Sequence, residues 1–219
     1  MDKIFTKWNK WLDVIYKEIT SLSVNRHIFW EVQEIIKSNK KIQKPSSFYE
    51  FLGSAYASLA VMGIRRQVKI NKQSISFARL LKQIADNPGV VSRERYVALY
   101  GTHQMMREMG ERDFKEFADK SGKRINSSIV INDLKSLQTK AAKCEKYADM
   151  RVAHFDKRAL KNPPTFKDLD DCINHLEELL KKYLLIFRAT CVSSVLPTWQ
   201  YDWKEIFLAP WIVPDIKEV

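Results

Sequence analysis

Tyr147, Arg151, His154 and Arg158 fall four, three and four residues apart in the stretch KYADMRVAHFDKR, residues 146–158. On an α-helix that spacing puts all four on one face, with Ala148, Val152 and Phe155 turned toward a core. A histidine flanked by arginines, beside the small Ala153, can bring proton transfer and positive charge to one point. Cleavage of an RNA phosphodiester requires both. A base takes the 2′-hydroxyl proton, an acid protonates the leaving 5′-oxygen, and a cation stabilises charge on the phosphoryl oxygens. Arginine suits the last role because its planar fork grips two phosphate oxygens at once. The competing reading is an ordinary polar helix face, on which Arg151 and His154 only make salt links to Asp156 or to neighbouring helices, and spacing alone favours it.

Other chemistries lack their residues. The sequence has no P-loop, no G-x-G-x-x-G, no H-E-x-x-H and no G-x-S-x-G, so nucleotide hydrolysis, dinucleotide redox chemistry, zincin proteolysis and α/β-hydrolase chemistry have no support. Cys172 and His175 form a C-x-x-H, which is half a zinc site. His27, His103 and His154 add no second ligand pair at suitable spacing, so neither a metal nor a cofactor is expected. Cys144, Cys172 and Cys191 are widely spaced and odd in number, which predicts reduced thiols in a cytoplasmic setting. The longest apolar run, Tyr183 to Phe187, is far short of the ~20 residues that span a bilayer. The stretch MDKIFTKWNKWLD lacks the apolar core of a secretory signal, and no membrane partner is expected.

The formal charge of +11 is concentrated. From Lys37 to Lys82 there are ten cations against the single acid Glu50, so this segment carries +9 of the +11. From Asn132 onward the chain is nearly neutral, with 14 cations against 13 acids. Arg65, Arg66, Lys69 and Lys72 are the densest part and are expected, with Arg158, to meet a polyanion such as RNA. Cations near a helix C-terminus also complement its dipole, which accounts for one or two of the ten.

Apolar spacing supplies the elements that must position these groups. Ile4, Trp8, Trp11, Leu12, Ile15, Ile19 and Leu22 draw one helical stripe from a cap at Asp2, a second stretch carries Ile28, Val32 and Ile35, and SNKKIQKPSS reads as a basic connector. Phe48, Phe51, Leu52, Ala55, Leu59 and Met62 predict the stripe of a central helix rich in small residues. Further helices are expected from about Ser74 to Asn87-Pro88-Gly89, from a cap at Ser92 to Tyr100, and in ERDFKEFADKSG, ended by Gly122. Asn132 is expected to cap a helix running to about Asp156, preceded by a short β-branched run, Ile129-Val130-Ile131. Thr165 and Asp168 predict a capping box that opens a helix through Phe187. The aromatic and Pro-rich tail is expected to wrap the bundle. The fold class is therefore all-α, one helical domain over 1–219, with N-terminal helices and connector in 1–45, a bundle in 46–192 and the tail in 193–219.

YADMRVAHFD resembles the motif of the HEPN superfamily, in its abortive-infection U-type branch, where a late helix carries an Arg, a polar residue and an Ala-His pair. MGIRRQ at Met62 to Gln67, SISFARLLKQI after it, and then NPGVVSRERY are similar to the same branch. The resemblance implies an antiparallel helical bundle that pairs with a second copy and cleaves RNA without metal in phage defence or a toxin system, with a cognate antitoxin or defence-system protein as a further partner. It assigns the general acid and base to His154 and the polar position to Asp149. Ala148 stands where the family arginine is expected, and Arg151, one turn closer to the histidine, is the substitute for phosphoryl charge, with Asp149 and Tyr147 orienting the pair. Two readings are open: an endoribonuclease, or a catalytically inactive interaction protein of the same build.

Overall fold

The computed structural model describes residues 2–154 and 156–211, and the chain is all-α, with no strand among them. α1 runs from Asp2 to Ser38 as a single helix, so the two expected N-terminal stretches are one. Nothing between them breaks a helix: SLSVNR holds neither Gly nor Pro, and the Ser23 hydroxyl bonds back to the Ile19 carbonyl at 2.9 Å. The expected cap at the Asp2 side chain lies outside the described residues. Trp8, Trp11, Leu12, Ile15, Ile19 and Leu22 form its buried stripe as the spacing predicted, whereas Ile4, expected on the same stripe, is exposed.

α2 spans Ser47–Val68, α3 Phe77–Asp86, α4 Arg93–Ala98 and α5 Gln104–Lys115. Ser46, Ser76 and Ser92 each accept a backbone N–H at the start of α2, α3 and α4. In α2 the buried face is not the expected one. Tyr56, Ala60, Val61, Gly63 and Ile64 point inward, while Phe48, Phe51 and Leu59 stand 49%, 66% and 58% exposed. At Gly63 the inner face must be small because α2 lies close against α1 there: a Cβ would sit 2.4 Å from Leu22 Cδ2.

α6 spans Ser127–Tyr147 and starts one and a half turns before the expected cap at Asn132, because the Asn126 side chain accepts the Ser128 N–H. The run Ile129-Val130-Ile131 is thus helical, its β-branched preference overridden by the burial of Val130 in the core. α6 ends in one π turn, Ala148–Val152, in which the Ala153 N–H reaches the Ala148 carbonyl at 2.8 Å. The helix therefore stops short of Asp156. The expected inward packing of Phe155 lies outside the described residues.

α7, Phe166–Arg188, opens on the predicted Thr165/Asp168 capping box and buries eleven residues from Leu169 to Phe187. It packs on α1 and α6, and α6 also packs on α2 and α3. Arg26 ties α1 to α7 through Glu177 at 2.8 Å and Asn174 at 2.6 Å. At the far end Arg188 does so through Asp13 at 2.7 Å. The tail then returns along α1: the rings of Trp199 and Trp203 meet His27, and Lys204 pairs with Glu31. No helix among the described residues is long and apolar enough to cross a membrane.

Gly63→Ala drives a methyl into the buried Leu22 side chain, which must shift to make room. The expected cost is about 1–3 kcal/mol in urea unfolding. Gly89→Ala, where a Cβ meets nothing within 4 Å, is the control and leaves the midpoint in place.

Candidate nucleic-acid interface

The sequence stretch that drew attention folds as three pieces: the last turn of α6, the π turn and the loop after it. A π turn inserts an extra residue per turn, so the spacing of four, three and four no longer keeps one face. Tyr147 consequently lines one pocket with Pro163, Pro164 and Phe166, while Asp149 lines another, an open cleft of about 450 Å³. Lys146, Glu145 and Arg158 share the cleft with Asp149. The expectation of one shared face for Tyr147, Arg151, His154 and Arg158 is corrected by this geometry.

Each expected site residue has a definite place. Arg151 turns its guanidinium onto the loop, donating to the carbonyls of Asp156 at 2.5 Å and Arg158 at 2.7 Å. It closes residues 151–158 into a compact turn, which is a different task from gripping phosphate. Arg158 lies in the loop and not on a helix, with its guanidinium across both oxygens of Asp156, the closest approach being 2.6 Å. That hydrogen bonding holds the Asp156 carboxyl down to about 2. His154 is exposed, and its ring makes no hydrogen bond or ion pair among the described residues.

Asp149 is the centre of a network between α2 and α6. Its carboxylate accepts from Arg65 and from Lys69, the latter at 3.0 Å, and Lys69 also reaches Glu145 at 2.7 Å. Partial burial pushes the Asp149 carboxyl up, but the hydrogen bonds from Lys69 and Arg65 outweigh it and leave the group below the ordinary carboxylate range. Hydrogen bonds to Glu145 and then Asp149 raise the Lys69 ammonium. Asp149 stays ionised and Lys69 protonated at neutral pH, so neither trades protons there.

The network was missed in the sequence, yet its signal is present. Glu145 and Asp149 are an acidic pair four residues apart, and Arg65 and Lys69 are a basic pair with the same spacing on another helix. The structure brings Arg65 and Lys69 to Asp149 and sends Arg66 elsewhere, to Glu18 at 2.8 Å on α1. Lys72 is exposed and takes part in no ion pair among the described residues. Three of the four cations at the end of α2 are therefore neutralised within the fold. No group of three or more His, Cys, Asp or Glu side chains that could hold a metal occurs among the described residues.

The chain matches no family model, no curated protein and no solved structure. Fold and site define only a class: an all-α bundle whose late helix ends in a π turn beside an open, charged cleft.

Because the folded Asp149 carboxyl is depressed, its contribution is complete above the ordinary carboxylate range and is lost as pH falls through the lowered value. Asp149→Asn should cost about 1 kcal/mol near neutral pH, modest because both sides of the network are partly exposed. Urea melts of the two proteins should converge as the medium is acidified.

Proposed function

We propose that the chain is a HEPN-like RNA-binding protein of a prokaryotic phage-defence or toxin system that works as a homodimer. In this reading His154 is the general acid and base of RNA cleavage that needs no metal. The observation that carries it is the placement of Lys146 and Arg158 on an open cleft whose adjoining loop presents His154 to solvent. Lys146 supplies charge to the phosphate, and Arg158 joins it when the phosphate displaces Asp156 from its guanidinium. Arg151 positions the His154 loop through the two carbonyls it holds, and Asp149 anchors the π turn to α2. The exposed stripe of Phe48, Phe51 and Leu59 on α2 supports pairing with a second copy, since an apolar face of that kind is usually covered. A cognate antitoxin or another defence-system protein is the further partner in this reading.

A second reading has its own observation. Arg151 spends hydrogen bonds on loop carbonyls, Tyr147 faces a different pocket and His154 stands on the adjoining loop, so of the four residues expected to share the chemistry only Asp149 lines the cleft. That favours a catalytically inactive HEPN-type protein that binds nucleic acid or a protein partner without cutting.

Structured RNA incubated with the protein in chelator separates the two. Cleavage that persists in EDTA and disappears in His154→Ala is the expected result, and equal cleavage by both proteins sinks the catalytic reading. Lys146→Glu combined with Arg158→Glu should weaken RNA binding about tenfold or more at moderate salt. Reversing Arg65 or Lys69 is a poor probe, because it breaks the Asp149 network. For the dimer, Phe51→Glu with Leu59→Glu should halve the mass measured by light scattering, and a wild type that is already monomeric ends that part of the proposal.

A further inference from the structure

Cys144 on α6 and Cys172 on α7 bring their sulfurs within 3.7 Å of each other in the core, 28 residues apart in sequence. The Cys172 thiol donates to the Lys140 carbonyl at 3.2 Å, which leaves its sulfur free to accept from the Cys144 S–H. The two thiols thus form a directed chain, Cys144 to Cys172 to backbone. Alongside runs a cleft of about 590 Å³ between α6 and α7, walled by Lys140, Lys143, Asp168, Asn174 and His175, which are sequence neighbours of the two buried thiols. His175 stands one turn after Cys172 on the same helix and is itself nine-tenths buried. Its Nε2 is paired with the Ser136 hydroxyl at 3.0 Å, while its Nδ1 is buried with no hydrogen-bond partner, Glu178 standing off at 3.6 Å. An orphaned imidazole nitrogen on the wall of a cleft, beside a paired thiol, is an arrangement that plain core packing does not require.

We propose that Cys144 and Cys172 are an oxidation site for a small hydroperoxide that enters this cleft, and that they close reversibly into a disulfide joining α6 to α7. The Cys172 thiolate attacks one peroxide oxygen. An S–O bond forms, the O–O bond breaks, and the other oxygen leaves as hydroxide or alkoxide and takes up a proton, giving sulfenic acid on Cys172. Cys144 then attacks that sulfur. The S–S bond forms, the S–O bond breaks, and the departing hydroxyl leaves as water with the Cys144 proton. Two thiols and one hydroperoxide become one disulfide, one alcohol or water, and one water, with two electrons passing from sulfur to the peroxide. The order follows the hydrogen bonds. On ionising, Cys172 gives up its bond to the Lys140 carbonyl, and the Cys144 S–H stabilises the resulting thiolate and lowers that group, while the same contact, followed by burial, pushes Cys144 up. Cys172 also keeps slightly more exposure than the fully buried Cys144, and its neighbour Asp171 lines the cleft.

The test uses the full chain carrying Cys191→Ser, because Cys191 is exposed and would react on its own. After hydrogen peroxide, the intact mass should fall by two hydrogens, and the two thiols titratable after unfolding should drop to none. A peptide linking Cys144 to Cys172 should appear, and dithiothreitol should restore the starting protein. With Cys144→Ser added, a sulfenic acid on Cys172 should be trapped by dimedone. With Cys172→Ser instead, Cys144 should stay unmodified. Two titratable thiols surviving in the oxidised protein, or a gain of oxygen on Cys172 without the link, would overturn the proposal. Trapping on Cys144 in place of Cys172 would overturn the order of attack.

Discussion

A single carboxylate, Asp149, faces two cations at the end of α2, and the end of α6 with the loop after it is arranged around that meeting. Arg65 and Lys69 can both reach it only if the end of α6 lies beside the end of α2. The π turn is where α6 accommodates this, offering Asp149 toward α2 while Ala148 and Met150 stay buried. Once the turn is fixed, Arg151 folds the following loop against itself, and His154 is carried out to solvent. The pairs are worth modest energy one by one, since their side chains are partly exposed, but together they set direction.

The same meeting redistributes the charge. A segment with ten cations and one acid looks in sequence like a continuous polyanion surface. In the fold its members are met by acids from elsewhere: Glu34 for Lys37, Glu18 for Arg66, Glu145 and Asp149 for Lys69, Asp86 for Lys82. Arg79 lies over the ring of Trp11 instead. Lys40, Lys41, Lys44 and Lys72 keep their exposure and join no ion pair among the described residues. Net charge is additive along a chain, but the field outside a protein depends on which charges have been cancelled locally.

Helix periodicity and capping chemistry carried most of the fold. The α1 stripe, the stop at Asn87-Pro88-Gly89 and the Thr165/Asp168 box all lie where local physics places them. What failed did so for nonlocal reasons. The spacing of Phe48, Phe51 and Leu59 predicts the inner face of α2, whereas the face that meets α1 carries Tyr56, Ala60 and Ile64, with Gly63 where Leu22 leaves no room. Asn126 and Asn132 are equally good caps in isolation, and the burial of Val130 selects the earlier. The π turn leaves no mark in residue types, so a face drawn at 3.6 residues per turn through Arg151 to Arg158 could not survive it. The thiol pair is similar: Cys144 and Cys172 are unremarkable singly, and only the packing of α6 on α7 makes them partners.

The length of α1 has a last consequence. Its 37 residues extend about 55 Å, against about 35 Å for the 23 of α7. Arg188 meets α1 at Asp13, and Asp170 meets it at Trp30, so α7 is exhausted there. Beyond that point Val32, Ile35 and Ile36 find Phe207 and Trp211 of the tail instead. Glu31 waits for Lys204, 173 residues later. The outer third of α1 is thus covered by a segment 173 residues further along the chain, so its packing depends on a contact of very long sequence range.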